Sequence, residues 1–572
     1  MFGSSKILYY KFVFLSNAGF RARSCPFKYP LEVHIGLILL GFGIAALSPL
    51  LTFAHLWQIK EWRWDRLMDH AREEGAFRTF LNPLRILVGA TWAAGFLILV
   101  LAIQMGYGEN HSEGLLSVWG LLLPAGLATL SILQITLRRQ PLPVWTQKAK
   151  SIVALSVLLT TLFLVLFWEY TTTGYDKPGN VIETHPLRSL IIVLPFTESF
   201  VVMLAWTLLL PLDTFLKQRI LNRARRLRSA HPEITVIGVT GSMGKTTTKE
   251  LLACALGKDA IATSAYVNSE IGVARWLLKN LDAKKLRSQE ASVYVVEMGA
   301  YRRGEIALLC SIAQPNLGVI TAIGTQHIAL FGSQEDLLSA KGELVEALPE
   351  HGHAFINIDS ALSTKLRTRA RCPVTTVGTG GPSDCEAFDI EETPRGIRFR
   401  VGETPFSLPL HGTHNVTNVL LTIAVAEHLK IPHAVIAERL SRFAPLPGTF
   451  SVEERNGVTV LNDTHNCSPE SAAAAIRWAE SRPASQKILL TSGIIEQGKE
   501  TLSVHRELGQ QCVPVFPRVI FLNKKLAQFF AQGYGKNVEI YSKEITPVSA
   551  GSLLVCLGRM PKSTIERLLP HS

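Results

Sequence analysis

The sequence lacks the spaced cysteines of a zinc site or of a disulfide framework. Its eight cysteines are scattered along 572 residues, and none forms a C-x-x-C pair. Seven of them lie in the part of the chain that we assign to the cytoplasm, so we interpret them as reduced thiols with structural roles. The sequence also lacks a stripe of basic and aromatic residues, which argues against a nucleic-acid partner.

Charge and hydrophobicity are unevenly distributed along the chain. The net charge is +12, and much of it sits in short basic clusters beside apolar segments. Hydrophobic residues make up 47% of the chain but crowd before position 212, and the remainder has the composition of a water-soluble protein. At this length we expect three or four structural units, of which the first is a membrane region.

Five long apolar runs before position 212 predict membrane-spanning helices. They lie at residues 33–59, 86–108, 115–137, 151–168 and 190–210. Each approaches the ~20 residues that cross ~30 Å of hydrocarbon. The loops at 60–85 and 138–150 are rich in Lys and Arg, whereas those at 109–113 and 169–188 are not, so the basic loops are expected to face the cytoplasm.

The segment KQRILNRARRLR, residues 217–228, follows the last run and holds six basic residues. It predicts that residues 213–572 lie in the cytoplasm, at an inner membrane of the bacterial type. The segment is interpreted either as a binding site for anionic membrane lipids or as an ordinary stop-transfer flank. Five spans leave the N-terminus outside, although residues 1–31 hold five Lys or Arg and no acid. Either residues 7–20 re-enter the membrane or the tail is absent from the mature fold.

Glu198 interrupts the fifth apolar run, three residues after Pro195. An ionisable group at mid-bilayer costs roughly 3 kcal/mol, so the side chain should face other helices or a polar cavity. Two interpretations stay open. The carboxyl group binds a lipid substrate or moves protons, or it is protonated and bonds to a neighbouring helix.

The stretch GVTGSMGKTTTKELL, residues 238–252, predicts a loop that holds phosphate. A β-branched strand precedes it at residues 233–240, and a helix that ends at Gly257 follows it. Backbone N–H groups, the helix N-terminus, the Lys245 ammonium and the Thr246 hydroxyl suit phosphate and Mg²⁺, although the glycine spacing is one residue longer than usual. The residues predicted to bind nucleotide here are Thr240, Gly241, Ser242, Gly244, Lys245, Thr246 and Thr247.

Three further side chains are candidates for the same site. Glu297 ends a predicted strand at residues 291–300, where a carboxylate beside the phosphate loop can hold Mg²⁺. His327 follows a third strand and Lys341 lies on the next helix. Taken alone, His327 is more often structural and Lys341 part of a solvated face.

Seven motifs together resemble the Mur ligase family. In chain order they are GVTGSMGKTTTKELL, NSEIGV, EMGAYRRGEI, HIALFGSQEDLLSAKGEL, INIDS, GTHNVTN and NDTHNCSPES. The resemblance is greatest to the subfamily that adds D-alanyl-D-alanine to the peptidoglycan precursor peptide. It covers residues 233–572 and fades after about residue 510.

The resemblance implies an α-helical membrane region followed by an α/β part, with a P-loop central domain and a smaller Rossmann-like domain. It implies ATP and two Mg²⁺ ions, bound by Thr246, Glu297, His327 and a Lys341 that family members carbamylate. Lys245, Lys341 and His327 are the implied catalytic residues. Asn415 and Asn418 are implied to contact the adenine side, and Asp463 the ribose. The implied domains are a tail (1–30), a membrane region (31–212), a basic linker (213–232), a central domain (233–447) and a C-terminal domain (448–572).

The sequence departs from the family at several positions. Thr449 follows Gly448 where the family has an arginine that reaches toward the nucleotide, and His465 replaces a usual tyrosine. A Lys-Gly-Ser element has become CLGRM at residues 556–560, and GIIEQGKE at residues 493–500 only partly matches the family loop. The front of the chain offers membrane spans in place of the domain that grips a uridine nucleotide.

The expected function is therefore a membrane-anchored, ATP-dependent ligase that joins a carboxylate to an amine through an acyl phosphate. The carboxylate would belong to a cell-envelope precursor, for which a lipid-linked form is one hypothesis, and the amine to an amino acid or dipeptide. Two alternatives stay open: a synthetase of a poly-glutamate type, and a membrane scaffold that binds ATP without joining anything. A transporter is disfavoured because no ABC-type signature is present.

Overall fold

The structure, a computed structural model, describes most of the chain between residues 31 and 570. The residues outside the description are 1–30, 61, 81–82, 106–111, 138–139, 173–193, 266, 282–290, 325–330, 332, 466, 496, 498–499, 543 and 571–572. The tail with its re-entrant segment at 7–20 therefore falls outside it. The chain divides into two compact units, and the boundary lies between Phe215 and Leu216.

All regular secondary structure in the described part of the first unit is helical. The helices are α1 (Leu31–Ile59), α2 (Trp64–Glu74), α3 (Ala76–Phe80), α4 (Pro83–Gln104), α5 (Ser112–Thr136), α6 (Gln147–Thr172) and α7 (Leu194–Ser229), which continues into the second unit. Each predicted span falls on one of the long helices α1, α4, α5, α6 and α7, although residues 106–108 and 190–193 lie outside the described residues.

Four helices of the described chain are long and apolar enough to cross a membrane, judged by length and composition. The stretches are Gly36–Ile59, Arg85–Ala102, Gln147–Leu166 and Thr197–Ser229. In α5 the described apolar stretch, Leu121–Thr136, is shorter than these. The prediction of long apolar helices is thus confirmed for four of the five runs.

Aromatic packing and one ion pair fix the helices of the first unit. The ring of Trp57 in α1 is fully buried, and its centroid lies 4.9 Å from that of Trp206 in α7. Lys148 Nζ at the start of α6 lies 2.7 Å from Asp213 Oδ2 in α7. These contacts hold the first half of α7 in the helical bundle.

Buried polar side chains also join helices of this unit. Arg85 in α4 donates to the carbonyl oxygen of Ala45 in α1 and to Ser131 Oγ in α5, each at 2.6 Å. The Thr160 hydroxyl in α6 donates to Glu198 Oε2 in α7 at 3.3 Å. Glu198 therefore faces neighbouring helices, as expected for a carboxyl group in an apolar segment.

The second unit opens with a seven-stranded sheet in which all neighbouring strands run parallel. Its strands are β1 (Thr235–Thr240), β2 (Ala260–Ala262), β3 (Val293–Glu297), β4 (Leu317–Ile320), β5 (His353–Asn357), β6 (Val374–Gly378) and β7 (Cys385–Glu386), in the order β2-β3-β1-β4-β5-β6-β7. The helices between them are α8 (Lys245–Leu256), α9 (Glu270–Asn280), α10 (Glu305–Ala313), α11 (Gln334–Glu346) and α12 (Ala361–Thr364). The predicted strands around β1 and β3 are confirmed with shorter bounds. Because the strand order reverses at β1, a crevice is expected at its carboxyl end.

A small antiparallel sheet and two helices follow. They are β8 (Phe388–Thr393), β9 (Gly396–Val401), β10 (Thr404–Leu408), α13 (Asn415–His428) and α14 (His433–Ser441), with the strand order β10-β9-β8. Leu251 and Leu252 of α8 share one buried core with Val419 and Leu420 of α13. This packing brings the start of α13 beside the start of α8.

The chain ends in a six-stranded sheet. Its strands are β11 (Ser451–Arg455), β12 (Val458–Asp463), β13 (Lys487–Thr491), β14 (Arg518–Phe521), β15 (Glu539–Ile540) and β16 (Leu553–Leu557), in the order β11-β12-β16-β13-β14-β15. The helices are α15 (Pro469–Glu480), α16 (Thr501–Cys512), α17 (Lys524–Tyr534) and α18 (Lys562–Leu568). Only the edge strand β11 is antiparallel to its neighbour. This is the α/β arrangement expected for the C-terminal domain.

The last part of α7, residues 216–229, belongs to the second unit. Its Leu221 and Ala224 are fully buried in the same core as Trp276 of α9 and Ile312 of α10. The segment predicted as a basic linker, residues 213–232, is thus helical as far as Ser229 and contributes side chains to a core.

The cysteines are consistent with reduced, structural thiols. The seven that the structure describes are free of disulfide bonds, and all but Cys254 are buried. Burial raises the pKa of Cys310, Cys385 and Cys512 to about 12, so these thiols stay protonated at neutral pH.

Candidate active site

A glycine loop joins β1 to α8. Gly244 has a φ of +78°, and a Cβ atom there would collide with the Asn418 side-chain amide. The Ser242 and Met243 N–H groups donate to the Ala322 carbonyl oxygen at 2.8 and 3.2 Å. These two N–H groups therefore brace the loop on the segment after β4, and the free donors for an anion are those of the first turn of α8.

Lys245 begins α8 and lies over the loop. Its Nζ donates to the Ser242 carbonyl oxygen at 2.8 Å. Burial lowers the pKa of Lys245, while the nearby Glu297 carboxylate raises it. The Ser242 hydroxyl is buried with no hydrogen-bond partner among the described residues. An anion in the loop would supply the acceptors that both groups can use.

Two other predicted loop residues have different surroundings. The Thr240 hydroxyl is fully buried and donates to the Met298 carbonyl oxygen at 2.8 Å, so it ties β1 to the end of β3. Thr247 lies half-buried in the first turn of α8. Its backbone N–H is one of the donors at the helix start.

Glu297 ends β3 and is the centre of a polar cluster. The Thr246 hydroxyl lies 3.2 and 3.1 Å from its Oε1 and Oε2 atoms, and Asn268 Nδ2 donates to Oε1 at 3.2 Å. Only 3% of Glu297 is exposed. A hydroxyl and a carboxylate that face each other are oxygen donors of the kind that Mg²⁺ prefers, so these residues fit a magnesium ion.

Lys249 completes this cluster and was not predicted from the sequence. Its side chain is fully buried, with Nζ 2.9 Å from Glu250 Oε1 and 3.7 Å from Glu297 Oε2. Lys249 lies four residues after Lys245 and therefore on the same face of α8. That spacing is the signal by which it could have been found.

Lys341 lies on α11 and is buried, with 2% of its surface exposed. Burial and the charge of Lys245 lower its pKa well below the ordinary value, while Glu305, Glu343 and Glu297 oppose the shift. Its Nζ lies 5.7 Å from the centre of the Phe331 ring. This lowered pKa favours the uncharged amine, which is the form that reacts with carbon dioxide.

Asn415 and Asn418 lie at the start of α13. Asn418 Nδ2 donates to Asn415 Oδ1 at 2.8 Å, and Asn415 Nδ2 donates to the His411 carbonyl oxygen at 2.8 Å. The Thr248 hydroxyl of α8 donates to Asn418 Oδ1 at 3.3 Å. Asn418 therefore lies against the phosphate loop itself and supports its conformation.

Asp463 ends β12 in the C-terminal sheet. It is buried and accepts a hydrogen bond from the Phe450 backbone N–H at 3.2 Å. Burial raises the pKa of Asp463 to about 6. Burying the charged carboxylate of Asp463 costs free energy. A ligand that donates a hydrogen bond to it, such as a hydroxyl group, would reduce that cost.

The C-terminal domain contacts the phosphate loop directly. The Ser468 hydroxyl, which caps α15, lies 3.1 Å from the Met243 sulfur atom. Burial lowers the pKa of His465, and the charges of Arg559, Glu297 and Lys245 also act on it. The charges that act on His465 thus come from both sheets, and Arg559 was not predicted from the sequence.

Two departures from the family pattern can be located in this domain. The Thr449 hydroxyl donates to the Leu446 carbonyl oxygen at 2.7 Å, so its side chain stabilises the local turn. Cys556 is fully buried in β16. Neither residue supplies a cation to the loop.

One predicted residue cannot be placed. His327 falls in residues 325–330, which lie outside the described residues. Among the described residues, no group of three or more His, Cys, Asp and Glu side chains could hold a metal ion. At the phosphate loop, the oxygen donors available to a cation are the Thr246 hydroxyl and the Glu297 carboxylate.

Comparison with known proteins relates the part of the chain that holds the phosphate loop to a protein family. The pattern of the Mur ligase middle domain matches residues 239–426. The chain is 32% identical over 310 residues to UDP-N-acetylmuramoyl-tripeptide--D-alanyl-D-alanine ligase of Bacillus subtilis, covering 53% of this chain and 66% of the relative. It is 33% identical over 279 residues to the Synechocystis sp. enzyme of the same name, covering 48% of this chain and 59% of that relative. The chain thus spans less than two thirds of the length of these curated relatives.

Solved structures show the same fold. MurF ligase from Thermotoga maritima in complex with ADP matches with a TM-score of 0.53 and 26% identity, over 62% of this chain and 82% of that one. MurF from Acinetobacter baumannii matches with a TM-score of 0.55 and 23% identity, over 62% of this chain and 80% of that one.

Proposed function

The chain belongs to the Mur ligase family, and on that premise we propose that it is a membrane-anchored ATP-dependent ligase that joins a carboxylate to an amine. The observation that carries the proposal is the convergence of Lys245, Thr246, Glu297 and Lys341 at the carboxyl ends of β1 and β3. The Lys245 cation, the Thr246 hydroxyl and the Glu297 carboxylate at one loop suit the transfer of a phosphoryl group between anions.

The proposed reaction has two steps. A substrate carboxylate oxygen attacks the γ-phosphorus of ATP, ADP leaves, and an acyl phosphate forms. An amine nitrogen then attacks the acyl carbon, inorganic phosphate leaves with the bonding electrons, and the nitrogen loses a proton to solvent or a base. The product is an amide, and the energy of ATP is used to make a bond.

Residues of this chain would position and neutralise the reacting groups. Lys245 lies over the loop where the terminal phosphates would bind, and the first-turn N–H groups of α8 point toward the same place. Thr246 and Glu297 would hold Mg²⁺, which when bound supplies positive charge to the transferring phosphoryl group. In its uncharged form the Lys341 amine would react with carbon dioxide, lose a proton to solvent and become a carbamate, an anionic group that would hold a second Mg²⁺. We include His327 among the metal ligands on the family resemblance alone.

Nucleotide contacts beyond the phosphates are also part of the proposal. Asn415 and Asn418 lie within reach of the loop and would contact the adenine side, while Asp463 would accept a ribose hydroxyl. His465 and Arg559 would face the transferring group from the C-terminal domain. We propose Arg559, whose charge acts on His465, as the cation that takes the place of the missing family arginine at Thr449.

The relatives' names suggest the substrates. Those enzymes join D-alanyl-D-alanine to a UDP-N-acetylmuramoyl-tripeptide. By analogy, the carboxylate of this reaction would belong to a precursor of peptidoglycan or of a related envelope polymer, and the amine to an amino acid or dipeptide. The chain has membrane-type helices where the family binds a uridine nucleotide, so we favour a precursor that is linked to lipid.

Membrane anchoring rests on four long apolar helices and the basic segment that follows them. In this arrangement residues 213–572 lie in the cytoplasm, where ATP is present. A test is turnover of full-length protein in lipid nanodiscs with matched lipid-linked and soluble precursors. Equal kcat/KM for the two precursors would argue against a membrane-bound carboxylate.

A second candidate function is a membrane scaffold that binds ATP without forming a bond. Thr449 and Cys556 favour it, because both positions lack the cation that the family places there. The presence of Lys245, Glu297 and Lys341 beside the phosphate loop argues for the ligase.

The deciding experiment uses purified full-length protein with Mg-ATP and a panel of envelope precursors, amino acids, including glutamate, and dipeptides. ADP, phosphate and new product mass are followed together, with Lys245→Ala alongside. Acceptor-dependent phosphate release that the substitution abolishes supports the ligase. Binding of ATP with no acceptor-dependent release supports the scaffold.

A further inference from the structure

The basic segment at the end of α7 has two opposite faces. Lys217 Nζ lies 2.6 Å from Glu270 Oε1 in α9. Arg225 donates through Nε and Nη2 to Ser311 Oγ in α10 at 3.2 and 3.0 Å. Arg228 Nε donates to the Ala313 carbonyl oxygen at 2.9 Å. These three cations, together with the buried Leu221 and Ala224, are used by the second unit for its own packing.

The other three basic residues lie on the opposite face of the helix. Arg219, Arg223 and Arg226 are exposed and follow one another at intervals of four and three residues. Among the described residues these three arginines form no ion pair with an acidic side chain. The nearest acids along the chain, Asp213 and Glu233, pair with Lys148 and His231. The described part of the second unit therefore places no counter-charge beside this row of three guanidinium groups.

The same face is apolar one turn earlier. Leu208, Leu212 and Phe215 are exposed by 55%, 55% and 62%, and they precede Arg219 at the same helical spacing of three or four residues. One stripe of the helix thus changes from large apolar side chains to arginines between Phe215 and Arg219. Apolar side chains followed by arginines along one face match the passage from acyl chains to phosphate groups at a membrane surface.

We propose that the stripe formed by Leu212, Phe215, Arg219, Arg223 and Arg226 is a binding surface for the phosphate groups of acidic phospholipids. The inference rests on the membrane placement that belongs to the proposed function. Arginine suits this partner because its planar fork donates two parallel hydrogen bonds to a phosphate. A general stop-transfer flank needs positive charge anywhere in the segment, whereas this surface needs it on one face.

That difference defines the experiment. Full-length protein is reconstituted in nanodiscs with equal amounts of phosphatidylcholine and phosphatidylglycerol and extracted gently, and the lipid retained per protein is counted by mass spectrometry. The stripe variant is R219Q/R223Q. The matched control is K217Q/R225Q, which removes the same number of charges from the same segment but on the packed face. The melting temperature of both variants is measured to confirm that they are folded.

We expect the stripe variant to lose enrichment of phosphatidylglycerol by about fivefold or more, since one basic residue near an anionic surface contributes about a fivefold preference. The control should retain the wild-type enrichment. Equal loss in both variants, or loss in neither, overturns the proposal. Tighter, stripe-dependent binding of a single-stranded RNA 20-mer in the presence of phosphatidylglycerol would also overturn it, because it would assign the arginines to another phosphate polymer.

The lipid count is independent of catalysis. The same preparations are assayed for acceptor-dependent phosphate release. Lipid enrichment without ligase turnover supports the stripe and contradicts the proposed ligase. Turnover without stripe-dependent enrichment supports the ligase and overturns the stripe.

Discussion

The Thr246 hydroxyl contacts both carboxylate oxygens of Glu297, at 3.2 and 3.1 Å. This contact follows from strand register, because Val239 of β1 pairs with Glu297 of β3. The loop after β1 and the carboxylate at the end of β3 therefore emerge at the same edge of the sheet. Sheet topology thus places the residues that would hold magnesium, and the loop supplies the site for phosphate.

Lys245→Ala should reduce acceptor-dependent phosphate release by about 10³-fold, because it removes the cation placed over the transferring group. Lys279→Ala is the control, since Lys279 is exposed on α9. The measurement is steady-state release of phosphate at saturating ATP. A Lys245 variant with turnover close to that of the control would remove this lysine from the mechanism.

Lys249→Met should lower the free energy of unfolding by about 3 kcal/mol, because it removes one of the two cations near the buried carboxylate of Glu297 and leaves Lys245 as the other. Added MgCl₂ should raise the melting temperature of this variant more than that of the wild type, since a divalent ion can replace the lost charge. Thermal unfolding in detergent, with and without Mg²⁺, measures both effects, and Lys279→Met is the control. An unchanged melting temperature would mean that Lys249 does not neutralise Glu297.

Gly244→Ala should weaken ATP binding and stability together. The backbone has a φ of +78°, where an alanine costs roughly 1–2 kcal/mol, and the new methyl group would strike Asn418. In the double variant with Asn418→Ala the collision is removed while the backbone strain remains, so part of the stability should return. Melting temperature and binding of a fluorescent ATP analogue test this. If the double variant is no more stable than Gly244→Ala, Asn418 does not pack on the loop as described.

Asp463→Asn should stabilise the protein at pH 8 and have little effect near pH 4. Burial raises the pKa of Asp463 from 3.8 to about 6, so the folded protein binds this proton more tightly than the unfolded chain does. The free energy of unfolding therefore falls as the pH rises from about 4 to about 6, by about 3 kcal/mol in total. Melting temperatures at several pH values test it, with the exposed Asp259→Asn as control. A stabilisation that is independent of pH would contradict the assignment.

Local pattern was sufficient to predict β1, the glycine loop, α8 and the position of Glu297. A β-branched run, glycines and a helix start are features of neighbouring residues, and they do not depend on the rest of the fold. Lys249 was missed because a lysine in a helix normally faces water. It is buried here only because α8 lies against β3 and α13, which a local pattern does not reveal.

The end of α7 was harder to predict for a related reason. The run of basic residues after the last span is typical of a solvated flank, and Pro211 argues against a continuous helix. The helix nevertheless runs from Leu194 to Ser229, and half of its basic side chains bond to α9, α10 and nearby carbonyl groups. Those partners lie about 50 to 90 residues further along the sequence, so no local pattern could assign them.

The central claim is that ATP activates a substrate carboxylate as an acyl phosphate. The most direct measurement uses a precursor, identified with the substrate panel, in which both carboxylate oxygens are ¹⁸O. The released phosphate is analysed by mass spectrometry. In the proposed reaction one carboxylate oxygen passes to phosphate each time an amide forms. We therefore predict one ¹⁸O atom from the carboxylate in each phosphate released. Phosphate that contains no ¹⁸O from the carboxylate while ATP is consumed would contradict the acyl phosphate mechanism.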